Sequence, residues 1–277
     1  AKSGYGLSTE SEVRSLEAIR AVASRHPLEL VPTFLGAHEY PREFRASPQA
    51  KADYVRLLCD EMIPAVAAKG LAEFCDVFCE SHVFDVESSA RILETGRRHG
   101  LRTKIHADEL TPCGGAELAA RLGATSADHL LKATDAGLAA MAGAGVVAVL
   151  LPGTSFHLGK KEHARAAKMM ELGVPIAVAT DFNPGTSMTQ SMPMILTLAC
   201  VNLRLSPAQA LVAATVNAAH AIGRGDRAGT IEAGRPADLL VFDAPDHEYL
   251  PYHFGANRVR HVVKGGRLVV RDGRRVV

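Results

Sequence analysis

The run Arg102-Thr-Lys-Ile-His-Ala-Asp-Glu-Leu110 decides how the rest of the sequence is read. A short β-prone segment ends at His106, and an acid, Glu109, follows three residues later. In a parallel β/α architecture the strands shed their backbone pairing at their carboxyl ends, so polar side chains there face a ligand. Histidine and glutamate in that place suit one metal ligand beside one proton-transfer carboxylate. The spacing alone is weak evidence. A second stretch, Val174-Pro-Ile-Ala-Val-Ala-Thr-Asp-Phe-Asn-Pro-Gly-Thr-Ser187, strengthens it: another apolar strand ends at Asp181 and runs into a turn rich in Gly, Pro and Asn. Two strands that end in ligand-type side chains make a constellation.

Outward from these stretches the same unit recurs. Ser8 caps a helix whose apolar face is Leu16, Ile19, Val22 and Ala23. A strand from Leu28 ends in Gly-Ala-His38, and the polar segment from Glu39 to Pro48 reads as a loop. Helical spacing returns from Gln49 to Lys69. Phe74 to Cys79 is strand-like and ends at Glu80, and Ser88 to Gly100 is a helix closed by glycine. After His106 come a helix from Gly114 to Leu122, a short strand Ser126-Ala-Asp-His129 and a helix from Thr134 to Gly143. A buried strand Val146 to Leu151, a helix from Lys160 to Leu172 and the strand ending at Asp181 complete the series. With the strand tail near Tyr5, seven strand ends are visible, one short of a (β/α)8 TIM-like barrel. The expectation is a barrel over residues 1–222 that lacks its first strand, in a chain that begins inside an element.

Past Asp181 the pattern changes. Met188 to Leu205 and Ser206 to Ile222 read as helices, the second with serine as cap and proline in the first turn. Short β runs follow, Gly229 to Asp243 and Val259 to Val270, with a hairpin turn at Lys264-Gly-Gly-Arg267. Residues 223–277 are therefore expected to form the C-terminal half of a small β-sandwich.

Composition narrows the class of function. A net charge of +1, with no basic block and few aromatics, excludes nucleic acid or an anionic membrane as the main partner. The longest apolar runs have strand length, too short to span a bilayer. Five scattered cysteines without a C-x-x-C pair suit reduced thiols in the cytoplasm, and Cys75 and Cys79 read as buried packing residues.

The polar residues at strand ends are Tyr5, His38, Glu80, His106, His129 and Asp181. Histidine and carboxylate donors suit a borderline divalent ion with one position open to water, the chemistry of amide hydrolysis. Each residue also has a structural reading. His38 can cap its turn, Asp128-His129 can be a surface pair, Asp181 and Asn183 can shape a turn, and Tyr5 can be a core aromatic with a solvated hydroxyl. Lys104 reads equally as solvated or as buried and paired, while the remaining histidines are assigned to structure.

Lys2-Ser-Gly-Tyr-Gly-Leu7, Phe34-Leu-Gly-Ala-His-Glu-Tyr-Pro41, Cys75-Asp-Val-Phe-Cys-Glu80, Lys104-Ile-His-Ala-Asp-Glu109 and Ala179 to Ser187 together resemble the imidazolonepropionase family of the amidohydrolase superfamily. The segment Gly229-Thr-Ile-Glu-Ala-Gly-Arg-Pro-Ala-Asp-Leu239 resembles the superfamily's more general tail signature. The resemblance implies a (β/α)8 barrel with a β-sandwich, one Zn2+ or Fe3+ per subunit, and a homodimer. It implies hydrolysis of the cyclic amide of 4-imidazolone-5-propanoate to N-formimidoyl-L-glutamate. It further implies His106 and Asp181 as metal ligands, and Glu109, His129 and Asp181 as catalytic groups. Tyr5, His38, Glu109, Asn183, Gly185 and Thr186 would hold substrate. The family's His-x-His metal pair and a substrate-binding arginine would precede Ala1, so the 277-residue chain alone is expected to be inactive. The competing readings are another heterocycle hydrolase or deaminase of the superfamily, and a catalytically dead barrel.

Overall fold

The strand that ends in His106 forms as read. In the computed structural model, which describes residues 1–276, β3 spans Arg102–Ala107. The chain divides into two compact units, Ala1–Val146 and Val147–Val277.

In the first unit β3 lies between β2, Phe74–Cys79, and β4, Ser126–His129, and β1, Thr33–Ala37, flanks β2. All three pairings are parallel, in the order β1-β2-β3-β4. Lys2 adds a parallel bridge to Thr33, consistent with the strand tail expected near Tyr5. The strand expected from Leu28 begins only at Thr33, because Ser24 to Pro32 contains no regular pairing before that bridge.

The connections are helical: α1 (Thr9–Ala23), α2 (Pro48–Leu57), α3 (Ile63–Ala68), α4 (Val86–Arg98), α5 (Gly115–Leu122) and α6 (Asp135–Ala144). Side-chain oxygens of Ser8, Ser47, Asp85 and Thr134 cap α1, α2, α4 and α6. A π-helical turn, Leu58–Met62, joins α2 to α3 and accommodates Pro64, which has no amide hydrogen to bond back to Asp60. The helices bury Leu16, Tyr54, Leu58, Met62, Ile63, Ile92 and Leu93, and the strands they pack on bury Phe34, Phe74 and Ile105. Helix α5 sits so close to β3 that a Cβ on Gly115 would lie 2.8 Å from the Cβ of Ala107.

In the second unit β5, Val147–Leu150, pairs in parallel with β6, Ile176–Val178. Val147, Val149, Leu151, Ala177 and Ala221 form its core cluster. The Pro-Gly-Thr-Ser155 run after β5 begins helix α7, Pro152–His157, since proline suits a first helical turn. The helix expected from Lys160 is only α8, Ala166–Glu171. Three further helices are α9 (Met192–Val201), α10 (Pro207–Ala214) and α11 (Val216–Ala221). The break between the last two falls at Thr215, whose φ of −122° and ψ of −82° leave the helical region. Helix α10 begins with the full capping box of Ser206 and Gln209.

An antiparallel sheet in the order β10-β9-β8-β7 follows, from strands β7 (Leu239–Phe242), β8 (Val259–Lys264), β9 (Arg267–Arg271) and β10 (Arg274–Arg275). The hairpin expected at Lys264–Arg267 forms, with Gly265 and Gly266 both at positive φ. The run from Gly229 is strand only from Leu239, and a short helix α12, Tyr249–Tyr252, precedes β8. Among the described residues no helix is long and apolar enough to cross a membrane.

Candidate active site

Parallel register sets out the site of the first unit. Phe78 of β2 is opposite His106, and His106 is opposite Asp128 of β4. Side chains alternate along a strand, so Asp76, Lys104, His106, Ser126 and Asp128 share a face. All five are buried.

They form one connected chain of polar contacts. The Lys2 ammonium lies 2.7 Å from Asp76 Oδ2 and 2.6 Å from Asp128 Oδ2. His106 Nδ1 donates to Asp76 Oδ1 at 3.0 Å. On the other side Lys104 Nζ donates to Ser126 Oγ at 2.8 Å, and that hydroxyl donates to Asp128 Oδ1 at 3.0 Å.

Burial would favour the neutral form of each group, and the partners oppose it. His106 and Lys2 together hold Asp76 below the usual carboxylate range, and Lys2 and Lys104 do the same for Asp128. Burial works to lower Lys2 and His106, but Asp128 and Asp76 raise Lys2 and Asp76 raises His106. Lys104 behaves differently: burial pushes it down to about 8, since Asp128 only partly offsets the cost. Its two open readings thus close on the buried, paired one.

One ligand-type atom each from Asp76, His106 and Asp128 fall within 4.8 Å of one another. The Lys2 ammonium already bridges the two carboxylates, however, and a cation there would have to displace it. The geometry suits a different use of His106. A buried carboxylate on Nδ1 fixes tautomer and ring orientation and leaves Nε2 as a metal donor, the usual outer-shell arrangement of a ligating histidine.

Around His106 the structure gathers the other expected residues of this unit. The His106 and His129 rings are 5.5 Å apart between centroids, and those of His38 and His106 are 6.1 Å apart. Tyr5 packs edge-on against His38 at 5.3 Å. His129 Nε2 is 3.6 Å from Glu109 Oε2, and both side chains are largely buried. The surface-pair reading of Asp128 and His129 is therefore wrong for this chain. Tyr5 is 63% exposed, so it is no core aromatic. His38 Nδ1 donates to Gly4 O at 3.0 Å, and burial together with the nearby His106 keeps its pKa below the ordinary imidazole value.

Buried carboxylates hold the loops that carry these residues. Glu12 Oε1 accepts from the amides of Gly4, Gly6 and Leu7, on both sides of Tyr5. Asp108 accepts from the amides of Cys113, Gly114, Gly115 and Ala116 at the start of α5. Glu80 accepts from the Leu110 and Thr111 amides just past Glu109. Asp108 and His129 both adopt positive φ, an uncommon conformation for residues with a Cβ.

In the second unit Asp181 follows β6, also at positive φ, and its Oδ2 accepts from the Thr154 hydroxyl of α7 at 2.6 Å. Asn183 organises the turn that follows. Its Oδ1 accepts from the Gly185 amide at 2.9 Å and the Thr186 amide at 2.7 Å, and its Nδ2 donates to Asp181 O at 2.6 Å. Asn183, Gly185 and Thr186 thus share one short turn with Asp181.

Sequence reasoning missed Lys2, Asp76 and Asp128. The available signal was an acid inside an otherwise apolar strand, Phe-Cys-Asp-Val-Phe, which is costly unless paired. Glu12 gave no signal beyond that of an ordinary first-turn acid.

Residues 60–269 match the amidohydrolase family profile. The chain is 54% identical to the imidazolonepropionase of Shouchella clausii, over 99% of this chain and 60% of that protein. It is 52% identical to the imidazolonepropionase of Geobacillus kaustophilus, over 99% of this chain and 64% of that protein. The chain therefore spans less than two thirds of the length of these relatives. Among solved structures it is similar to a zinc-bound adenosine deaminase from Xanthomonas campestris, with a TM-score of 0.69 and 21% identity over 94% of this chain and 65% of that one. It is also similar to the N-isopropylammelide isopropylaminohydrolase of Burkholderia multivorans, with a TM-score of 0.72 and 20% identity over 99% of this chain and 70% of that one. At such identities the structural likeness speaks for the fold.

Proposed function

The chain belongs to the amidohydrolase family, and from that premise we propose that its protein hydrolyses the cyclic amide of 4-imidazolone-5-propanoate to N-formimidoyl-L-glutamate. The observation that best supports this reading is the clustering of Tyr5, His38, His106, Glu109 and His129, far apart in sequence, around the carboxyl ends of β1, β3 and β4. Identity to imidazolonepropionases along almost the whole chain supports the choice of substrate.

In this proposal His106, through Nε2, and Asp181 are metal ligands, and Zn2+ or Fe3+ is the ion. When bound, such an ion supplies a more acidic water and a polarised carbonyl. Glu109 moves a proton from the attacking water to the ring nitrogen as the C–N bond breaks. Its contact with His129 suits this, since a neutral imidazole can donate to the carboxylate or to the developing oxyanion. Tyr5 and His38 grip the substrate, and Asn183, Gly185 and Thr186 contact it through their turn. Residues 1–222 are assigned to the barrel and 223–277 to the sandwich domain. The protein is proposed to act as a cytoplasmic homodimer.

The test is turnover of 4-imidazolone-5-propanoate by the purified protein, followed as loss of the imidazolone chromophore with identification of formimidoylglutamate, alongside metal analysis. About one equivalent of zinc or iron, with activity removed by a chelator, is the expected result. A metal-replete protein that leaves the imidazolone intact but deaminates another heterocycle would overturn the reading.

A further inference from the structure

Glu80 is a strand-end acid for which the proposed chemistry has no use, yet it is wholly buried. It follows β2, where its amide donates to Phe84 O and its carbonyl accepts from Val83, so its backbone is fixed by a tight turn. The carboxylate reaches across to the loop after β3. Oε2 accepts from Leu110 N at 2.8 Å and from Thr111 N at 3.3 Å. Oε1 accepts from the Thr111 hydroxyl and, at 3.1 Å, from Ser81 N. These donors outweigh the effect of burial and lower the Glu80 pKa, so the group stays an ionised acceptor.

Between Ala107, paired with His129 in the sheet, and the Leu110 and Thr111 amides lie only Asp108 and Glu109. Asp108 ties the loop's far end to α5, its carboxylate accepting from the amides of Cys113 to Ala116. Directly after Glu109, Glu80 holds both the Leu110 and the Thr111 amide, while Cys113 N donates to Thr111 O at 2.9 Å. We propose that Glu80 is a positioning residue for the reaction: by clamping Leu110 and Thr111 it sets the reach of Glu109 toward His129 and the substrate. This rests on the reading of Glu109 as the proton-moving group. Glu80 itself touches neither substrate nor proton.

Two readouts separate the clamp from its catalytic consequence. In Glu80→Gln, and independently in Thr111→Val, the Leu110 and Thr111 amides lose hydrogen-exchange protection while the α5 amides held by Asp108 keep theirs. Turnover per metal-loaded site falls on the order of 10²-fold, the scale of a small misplacement of a reacting group, with KM changed less than about threefold. In a Glu109→Ala background Glu80→Gln costs little more, because the two residues act through one step. Unchanged protection would overturn the clamp. Lost protection with undiminished kcat, or an equal Glu80→Gln penalty with and without Glu109, would overturn the positioning role. An enzyme indifferent to Glu109→Ala alone would overturn the functional reading, and the positioning role with it.

Discussion

The turns after β3 and β6 begin alike, each with an aspartate in the left-handed region, Asp108 at φ 49° and Asp181 at φ 50°. They are built differently. The first is tied down from outside: Asp108 bonds to the start of α5, and Glu80 arrives from a strand 30 residues earlier. The second holds itself together, with Asn183 bonding inside its own turn and Ser187 Oγ donating to Thr180 O at 2.7 Å. Phe182 is 56% exposed and Met188 66% exposed, so little else covers this turn. One backbone conformation thus serves two ends. In the first turn the aspartate is committed to architecture, and in the second it is half-buried and accepts through Oδ2 from the Thr154 hydroxyl. Long-range ties give a rigid platform, and short-range ties give a loop that can adjust.

The comparison breaks most sharply at Asp76. Asp76→Ala leaves the buried His106 Nδ1 without its carboxylate and the Lys2 ammonium with Asp128 alone, and should cost about 3 kcal/mol of stability by chemical denaturation. No single change in the Asn183 turn should approach this. Lys104 gives a pH test of the same platform. With a folded pKa of about 8 against the ordinary lysine value of 10.5, the folded chain carries the full cost of the buried ammonium below pH 8. Stability from this group should then rise as pH climbs from about 8 to 10.5, by up to about 3 kcal/mol, and the rise should vanish in Lys104→Met. Denaturation midpoints measured across that range decide it. Asp108→Ala should cost about 2 kcal/mol through the lost helix cap. Asp181→Ala should change stability by less than about 1 kcal/mol yet abolish turnover. Equal stability losses in these two variants would erase the distinction between the turns. The smallest effect on turnover is expected for Asn183→Ala, which should cost about 1 kcal/mol of stability, with faster exchange of the Gly185 and Thr186 amides and a raised KM.

The same contrast explains what the sequence could disclose. Asn183 and its glycine follow the rules of turn chemistry, the strand end at His129 coincides with that read from local pattern, and the one read at His106 lies one residue further on at Ala107. The capping serines at positions 8 and 206 were equally legible. What stayed hidden depends on partners distant in the chain. Glu12 reads as a routine helix-start acid until its carboxylate is seen under Tyr5, and Asp76 reads as an anomaly until Lys2 faces it. Helix α7 has only six residues, too few to show an apolar period, and its proline occupies a first helical turn where the missing amide hydrogen costs nothing.

The Lys2 bridges also carry a consequence for the order of events in synthesis. They close contacts across 74 and 126 residues. At about 5–20 residues per second, Asp128 leaves the ribosome roughly 6–25 s after Lys2. Asp76 emerges 74 residues after Lys2, so for the last roughly 3–10 s of that interval the Lys2 ammonium has one carboxylate, while Lys104 waits for the Asp128 charge that arrives with β4.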